Sequence, residues 1–130
     1  MKPHTQCSGG VVTNQKGQIL LVKQKNNSWS FPKGRIKEEE NALQAAKREI
    51  YEETGTQNIT LIKELGHYDR PNGDDPSQTK TITLFLFTTT EENPTPQDPG
   101  IQKATWVEKN EVNKILTYPE DRTFFQNLEI

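Results

Sequence analysis

Three glutamates, Glu49, Glu52 and Glu53, are spaced so that their carboxylates can act on one ligand. Their segment has helical periodicity, and at about 100° per residue all three fall within an arc of roughly 100°. Arg48 can pair with Glu52 one turn away, but one guanidinium does not neutralise three carboxylates. Hard oxygen ligands on one face suit Mg²⁺, which prefers carboxylates together with water and substrate phosphate. By itself, however, a glutamate-rich helix is most often a solvated surface.

The helix that positions these carboxylates is predicted from residue 41 to residue 55. Leu43, Ala46 and Ile50 form one apolar stripe, Asn41 is a suitable N-terminal cap, and Gly55 is a suitable stop. The glutamates border this stripe, so we expect their carboxylates to lie against the protein body rather than in open solvent.

The rest of the chain has the pattern of an α/β protein with a mixed sheet. A hairpin is indicated around Asn14 and Gly17, and Pro32 stiffens the connection that follows it. We predict strands at 8–13, 18–23, 59–65, 80–87 and 104–107, helices at 110–116 and 120–128, and loops at 69–77 and 91–99. No internal repeat or linker interrupts the 130 residues, which predicts a single domain over 1–130.

Composition narrows the classes of partner. A formal net charge of -2 gives no basic excess for an extended duplex, so duplex nucleic acid is not expected, whereas a nucleotide-sized ligand is compatible. Cys7 is the one cysteine of the chain and excludes an internal disulfide. No apolar run approaches the roughly 18 residues of a membrane helix, and no signal peptide is evident. We therefore expect a cytoplasmic protein without a membrane partner, either a monomer or a homodimer.

The spacing of the charged residues resembles that of a known family. Gly34, five residues, Glu40, seven residues and then R-E-I-x-E-E-x-G from Arg48 to Gly55 follow the Nudix box, G-x5-E-x7-R-E-U-x-E-E-x-G-U, in which U is aliphatic. Eight of the nine defined positions of this box at 34–56 agree, and the exception is Thr56. The chain is thus similar to the Nudix hydrolases, which implies an α/β/α sandwich and Mg²⁺-dependent cleavage of a phosphoanhydride bond, with Mn²⁺ as a possible substitute.

The resemblance also implies roles for the residues of the box. Metal binding is assigned to Glu49, Glu52 and Glu53, together with a backbone carbonyl at Lys33 or Gly34. Catalytic roles fall to Glu49, Glu52 and Arg48, of which the arginine orients the carboxylates. Glu40 braces the loop against the helix, and Gly55 completes the structure of the box.

The general base is left open by the sequence. Many relatives carry a glutamate about six residues before the tryptophan that corresponds to Trp106, and this chain has Gly100 there. Either Glu49 or Glu52 of the box serves as the base, or a carboxylate of the 91–99 loop, Asp98 or Glu92, takes over. We favour Glu49, because the proline-flanked loop is expected to need closure before it reaches the reacting water.

The stretch W-x-F-P-K-G at 29–34 resembles the dinucleoside polyphosphate hydrolases, especially those that act on diadenosine tetraphosphate and hexaphosphate. By this resemblance Lys33, Arg35 and Lys80 would bind phosphate, and Tyr68 would stack on a base. An RNA 5′ pyrophosphohydrolase, whose motif usually has Gln at the position of Lys33, and a housecleaning hydrolase of nucleoside triphosphates are the nearest alternatives. A hydrolase of diphosphoinositol polyphosphates and a non-catalytic nucleotide sensor are the more distant ones.

Overall fold

The computed structural model describes residues 4–72 and 75–130, which form one mixed sheet flanked by helices. The strands are β1 His4–Thr13, β2 Ile19–Gln24, β3 Trp29–Ser30, β4 Lys33–Arg35, β5 Ile59–Pro71, β6 Thr79–Thr89 and β7 Ile101–Val107. The helices are α1 Ala42–Thr54, α2 Val112–Ile115 and α3 Pro119–Gln126, and a 3-10 turn covers Lys109–Glu111. Among these residues no helix has the length and apolar character needed to cross a membrane.

Strand β1 is central, and it pairs in parallel with β6 along its whole length. On its other side it pairs with β4 at Cys7 to Gly9 and with β2 only at Thr13 opposite Ile19. The predicted hairpin therefore forms but opens after one pair of residues. It opens because β2 continues against β3 and β7, while β4 occupies the edge of β1 that β2 has left.

The two faces of the sheet carry separate apolar cores, as expected from side chains that alternate along each strand. One core joins sheet residues to α2 and α3, and it includes Val11, Leu21, Leu84, Val112 and Phe125. The other joins the sheet to α1, and it includes Val12, Leu20, Phe87, Ala46 and Ile50. Helices thus cover both faces, which confirms the predicted α/β/α sandwich with a mixed sheet.

Helix α1 begins and ends where its local sequence predicts. The Asn41 side chain accepts a hydrogen bond from the Gln44 backbone N–H at 2.8 Å, and the Gln44 side chain accepts one from the Asn41 N–H at 2.9 Å. This reciprocal capping satisfies donors that the first turn leaves free. Gly55 ends the helix with φ of 75°, a left-handed conformation that glycine adopts without steric cost.

The predicted loop 69–77 is shorter in the structure because β5 continues to Pro71. Asp69 and Arg70 pair with β6, and the Thr81 hydroxyl donates to the Asp69 carboxylate at 2.6 Å. The loop assignment for 69–71 was therefore wrong: pairing across the β5–β6 hairpin overrides the polar composition of the segment. Residues 73 and 74 of the predicted loop lie outside the described residues.

Candidate active site

Arg48 connects the loop before α1 to the carboxylates on the helix. It contacts both oxygens of Glu40, through Nε at 2.5 Å and Nη2 at 2.9 Å. Its Nη1 donates to Glu49 at 2.7 Å and to Glu52 at 3.1 Å, and its Nη2 also donates to the Arg35 carbonyl at 2.9 Å. A planar guanidinium can make these contacts at once, whereas an ammonium lacks the required fork. Arg48 therefore fixes the loop and two carboxylates in one arrangement.

The Glu40–Arg48 pair is charged under ordinary conditions. Hydrogen bonds from Arg48 lower the pKa of the Glu40 carboxyl to about 2. The same hydrogen bonds raise the pKa of the Arg48 guanidinium, although partial burial opposes the rise. Both partners thus stay charged near neutral pH. This suits the predicted role of Glu40, which is to hold the loop before α1 against the helix.

Two of the helix carboxylates, Glu49 and Glu53, are buried. Burial raises the pKa of the Glu53 carboxyl to about 8, although the charge of Lys33 opposes the shift, and the Glu53 Oε1 accepts the Lys33 backbone N–H at 3.2 Å. Burial also raises the pKa of the Glu49 carboxyl, against the effect of its hydrogen bond from Arg48. Nearby positive charge would favour the ionised form of both groups.

Gly34 makes room for the Glu49 carboxylate. A Cβ atom on Gly34 would lie 2.1 Å from the Glu49 Oε2 and 2.5 Å from its Oε1, so no larger residue fits without moving that carboxylate. Gly34 also pairs with Ser8 of β1, so its backbone is fixed by the sheet. The first glycine of the box thus allows a carboxylate of α1 to approach the backbone of β4 closely.

The donor set of this cluster fits a hard divalent cation. Within residues 4–72 and 75–130 no three acidic, histidine or cysteine side chains converge as metal ligands, and Glu49 and Glu52 both turn toward the same nitrogen of Arg48. Yet the available atoms are carboxylate oxygens, two of these carboxylates have raised pKa values, and the backbone of Lys33 adjoins Glu53. Carboxylate oxygens are among the ligands that Mg²⁺ prefers.

The 91–99 loop already lies against α1. The backbone N–H groups of Gln97 and Asp98 donate to the Glu52 carbonyl at 2.9 and 2.8 Å, and the N–H of Thr95 donates to the Thr54 carbonyl at 2.8 Å. Burial is the main cause of the raised pKa of Glu49, and the negative charge of Asp98 is one of the smaller effects that raise it further. Backbone hydrogen bonds to helix carbonyls therefore anchor this loop to the last turn of α1.

Of the two loop carboxylates considered as the base, Asp98 lies in the segment that is anchored to α1. Its Oδ1 accepts the Gly100 backbone N–H at 2.8 Å. Glu92 is exposed and lines a different surface pocket, together with Asn14 and Trp106. Asp98 thus remains the alternative to Glu49 as the base.

A cavity of about 640 Å³ opens beside Glu53. Five cationic side chains line it, and Glu53 is the one acidic residue among its described lining; the cations are Lys25, Lys33, Arg35, Arg70 and Lys80. This excess of positive charge is local, because the chain as a whole carries a formal charge of -2. A cleft lined by one sign of charge concentrates ligands of the opposite sign, so this cavity suits an anion that carries several charges.

Most of the residues singled out from the sequence meet at this place, but Tyr68 does not. Lys33, Gly34, Arg35, Glu53 and Lys80 line the cavity, and Glu40, Arg48, Glu49 and Glu52 form the adjoining network. The Tyr68 hydroxyl donates to Asp121, and its ring stacks on Phe124 with centroids 4.6 Å apart. Tyr68 therefore packs against α3, and it is not among the residues that line the cavity.

Two residues of the cavity, Arg70 and Tyr118, were missed by sequence reasoning. The Arg70 Cζ lies 3.9 Å from the centre of the Tyr118 ring. Arg70 fell within a predicted loop, and Tyr118 precedes a short helix without any distinctive pattern. A basic residue directly opposite Lys80 in a predicted β5–β6 hairpin was the signal that could have pointed to Arg70.

A model of the NUDIX domain matches residues 3–128. The chain belongs to the Nudix family. The resemblance that rested on the box is thereby confirmed over almost the whole sequence.

Curated relatives match this Nudix chain over part of their length. An RNA pyrophosphohydrolase of Bartonella tribocorum is 37% identical over 82 residues, which are 53% of this chain and 47% of that protein. A Bacillus subtilis protein named "Putative 8-oxo-dGTP diphosphatase" is 45% identical over 73 residues, which are 55% of this chain and 48% of that protein. The chain thus spans about half the length of the curated relatives that it matches.

Solved structures share the Nudix fold at low sequence identity. An Ap4A hydrolase from C. elegans, in a binary complex, superposes with a TM-score of 0.79 at 22% identity, covering 94% of this chain and 93% of that one. The dihydroneopterin triphosphate pyrophosphohydrolase of E. coli superposes with a TM-score of 0.77 at 17% identity, covering 98% and 97%. At such identities the likeness establishes the fold alone.

Gly34→Ala should impair the hydrolase activity expected of this chain without unfolding the protein. Gly34 is not among the glycines with positive φ, so alanine fits its backbone, but the new methyl group would displace the Glu49 carboxylate. We expect kcat/KM to fall about tenfold, or about 1.4 kcal/mol, and the Mg²⁺ concentration for half activity to rise. Steady-state kinetics beside thermal melting will check this. Unchanged kinetics at unchanged Tm would contradict a fixed position for Glu49.

The stability of the metal-free protein should fall as pH rises. The folded-state pKa of Glu53 is raised from 4.5 to about 8, so folding favours its protonated form. The contribution of Glu53 to the free energy of unfolding is complete below pH 4.5, and it is lost as pH rises to about 8. Melting curves in EDTA should therefore show a lower Tm at about pH 8 than at about pH 5. Glu53→Gln should make the Tm less dependent on pH. If the Tm of the variant and that of the wild type fall in parallel with pH, Glu53 is not the group that causes the loss of stability.

Proposed function

We propose that this chain hydrolyses a phosphoanhydride bond of a nucleoside polyphosphate and requires Mg²⁺, for which Mn²⁺ can substitute. The observation that carries the proposal is the position of an arginine-anchored carboxylate cluster beside a cavity lined by five cations. Carboxylates suit the metal, and the cations suit the phosphates. Membership of a family that contains named pyrophosphohydrolases and a diphosphatase supports the same reaction class.

Each residue of the cluster has a part in this reaction. Glu49, Glu52 and Glu53 would hold the metal with a backbone carbonyl at Lys33 or Gly34, and Arg48 orients two of these carboxylates. When bound, the divalent ion neutralises phosphate charge and lowers the pKa of a water molecule. Lys33 and Arg35 bind phosphate oxygens from the cavity wall. Glu49 accepts the proton of the attacking water, so no covalent intermediate with the protein is required.

Three substrate classes stand out. The W-x-F-P-K-G stretch supports a dinucleoside polyphosphate such as diadenosine tetraphosphate. The names of several curated relatives support 5′-triphosphorylated RNA instead, and one supports an oxidised nucleoside triphosphate. All three present a chain of at least three phosphates, which is the feature that a cationic cavity recognises.

A substrate panel with Mg²⁺ tests the proposal. It should contain dinucleoside polyphosphates of three to six phosphates, canonical and oxidised nucleoside triphosphates, and 5′-triphosphate RNA. We expect turnover of at least one member, abolished by EDTA and restored by Mg²⁺ or Mn²⁺. Binding of these ligands with no turnover of any would favour the non-catalytic nucleotide sensor, which the intact Arg48, Glu49, Glu52 and Glu53 argue against.

A further inference from the structure

The first part of the chain is strongly basic, although the chain as a whole is slightly acidic. No aspartate or glutamate occurs before Glu38, whereas seven lysines and arginines do. The strands on the side of β1 away from β6, which are β2, β3, β4 and β7, contain no acidic residue. Such a charge asymmetry within one chain points to an anionic partner. The cavity accounts for only some of these cations, because Lys23 and Lys103 lie outside its described lining.

Lys23 and Lys103 lie directly opposite each other in the sheet. Lys23 of β2 pairs with Lys103 of β7, so both side chains project to the same face. Lys23 is half-buried and Lys103 is exposed. Among the residues that the structure describes, neither makes an ion pair with an acidic side chain. Like charges directly opposite destabilise a sheet, and an anion bound by both ammonium groups removes that repulsion.

The lysine pair lies on the face of the sheet that carries the cavity. Leu21, two positions before Lys23, belongs to the core that faces α2 and α3, and side chains two apart in a strand point to the same face. Cys7, which lines the cavity, belongs to the same core. Lys25 also lines the cavity, and at most about 7 Å separates its Cα from that of Lys23. An anionic chain that leaves the cavity beside Lys25 can therefore continue to Lys23 and then to Lys103.

An aromatic residue borders the two lysines. Trp29 of β3 pairs with Lys23 on the edge of β2 that does not face β7, so Trp29, Lys23 and Lys103 form one row across three strands. We call these three residues the Trp–Lys row. Trp29 is half-buried, and its backbone is held by Thr117, whose hydroxyl accepts the Trp29 N–H at 2.8 Å and whose N–H donates to the Trp29 carbonyl at 3.1 Å. Cations beside an aromatic ring are the combination that binds single-stranded nucleic acid.

We propose that the Trp–Lys row binds the single-stranded chain of a 5′-triphosphorylated RNA whose terminal phosphates occupy the cavity. This inference rests on the proposed function, and it selects RNA from the three substrate classes. A dinucleoside polyphosphate or a nucleoside triphosphate carries its charge in one short phosphate chain, which the cavity takes up, so it leaves no charge for a row of cations outside. RNA carries a further phosphate with each nucleotide and therefore extends the anion beyond the cavity. The two lysines bind its phosphates, and Trp29 stacks on a base.

Fluorescence anisotropy with a labelled, 5′-triphosphorylated RNA of about ten unpaired nucleotides tests the row. EDTA is present, so binding is measured without turnover. We expect the double variant Lys23→Gln/Lys103→Gln to bind this RNA at least about tenfold more weakly than the wild type. Because two phosphate contacts are lost, the slope of log affinity against log salt should become shallower by about 1.4. The affinity for ATP should change less than about twofold, because the two lysines lie outside the cavity lining.

The double variant Lys47→Gln/Lys63→Gln is the matched control. It removes the same charge from two exposed positions outside the row, so its RNA affinity and its salt dependence should match those of the wild type. Melting curves accompany each variant, because Lys23 is half-buried. An equal loss of RNA affinity in the two double variants would mean that net charge governs binding, and it would overturn the row.

The fluorescence of Trp29 gives an independent measurement. The chain contains two tryptophans, so in a folded Trp106→Phe protein the tryptophan emission comes from Trp29. RNA should quench it by stacking, and ATP should quench it less. Wild-type RNA affinity in the folded lysine variant, or unquenched Trp29 at saturating RNA, would overturn the row. The substrate panel stays independent: absent turnover with impaired RNA binding in the lysine variant refutes the reaction and keeps the row, whereas turnover with unimpaired RNA binding does the reverse.

Discussion

Glu49→Gln should lower kcat by roughly a thousandfold, a barrier increase of about 4 kcal/mol. Glu49 combines a buried carboxylate, a raised pKa and a hydrogen bond from Arg48. Under the proposed function it would both contact the metal and accept a proton. The amide keeps the shape of the side chain but loses both capacities. The acid-side limb of the pH–rate profile should flatten as well, because that limb reports protonation of the base. Steady-state kinetics across pH will measure both effects.

Asp98 provides the comparison for this prediction. Its backbone is fixed to the Glu52 carbonyl, and its charge lies close enough to influence Glu49. We nevertheless expect Asp98→Asn, like Glu92→Gln, to cost less than about tenfold, a gap of more than about 2.7 kcal/mol from Glu49→Gln. Equal damage from Asp98→Asn and Glu49→Gln, with the acid-side limb lost in both, would transfer the base to the loop.

Glu52→Gln and Glu53→Gln should each lower turnover at least about a hundredfold while the protein stays folded. Under the proposed function, each change would remove an anionic oxygen ligand from the metal, and it leaves the size of the side chain almost unaltered. Mg²⁺ should also raise the Tm of the wild type more than that of either variant, because a ligand that binds the folded state more tightly stabilises it more. Kinetics and melting with and without Mg²⁺ provide the measurements.

Glu39→Gln is the matched control for these two variants. Glu39 lies in the box and is exposed, so its neutralisation removes the same charge without touching the cluster. Its kinetics and its Mg²⁺-dependent Tm shift should match the wild type. A loss in Glu39→Gln similar to that in Glu52→Gln would mean that net charge, rather than metal ligation, governs turnover.

The parts of the site that could be predicted are those that depend on local sequence. Helix α1 was predicted to its cap and stop residues, because Asn41 and Gly55 act within a few residues of where they stand. The common direction of the three glutamates followed from helix geometry alone. Arg48 contacts Glu49 as well as Glu52, and it also contacts the Arg35 carbonyl. These contacts depend on the path of the loop before the helix, so they could not be predicted from residue spacing.

The parts that could not be predicted arise from contacts between distant segments. Tyr68 is engaged by α3 through Asp121, 53 residues further along the chain. Two positions after it, Arg70 occupies the cavity wall instead, and only the register of the β5–β6 hairpin places it opposite Lys80. The loop at 95–98 binds α1 through backbone groups, which leave no signature in the side-chain sequence.

That backbone attachment has a consequence for how the molecule opens. The amides of Thr95, Gln97 and Asp98 are hydrogen-bonded to carbonyls of the last turn of α1, so their hydrogen exchange should follow that of the helix rather than that of a free surface loop. The loop and the helix end would then open as one cooperative unit. A protease cut or an inserted tag at 94–99 would remove donors from the turn that carries Glu52 and Glu53, which makes this exposed loop a poor place for either.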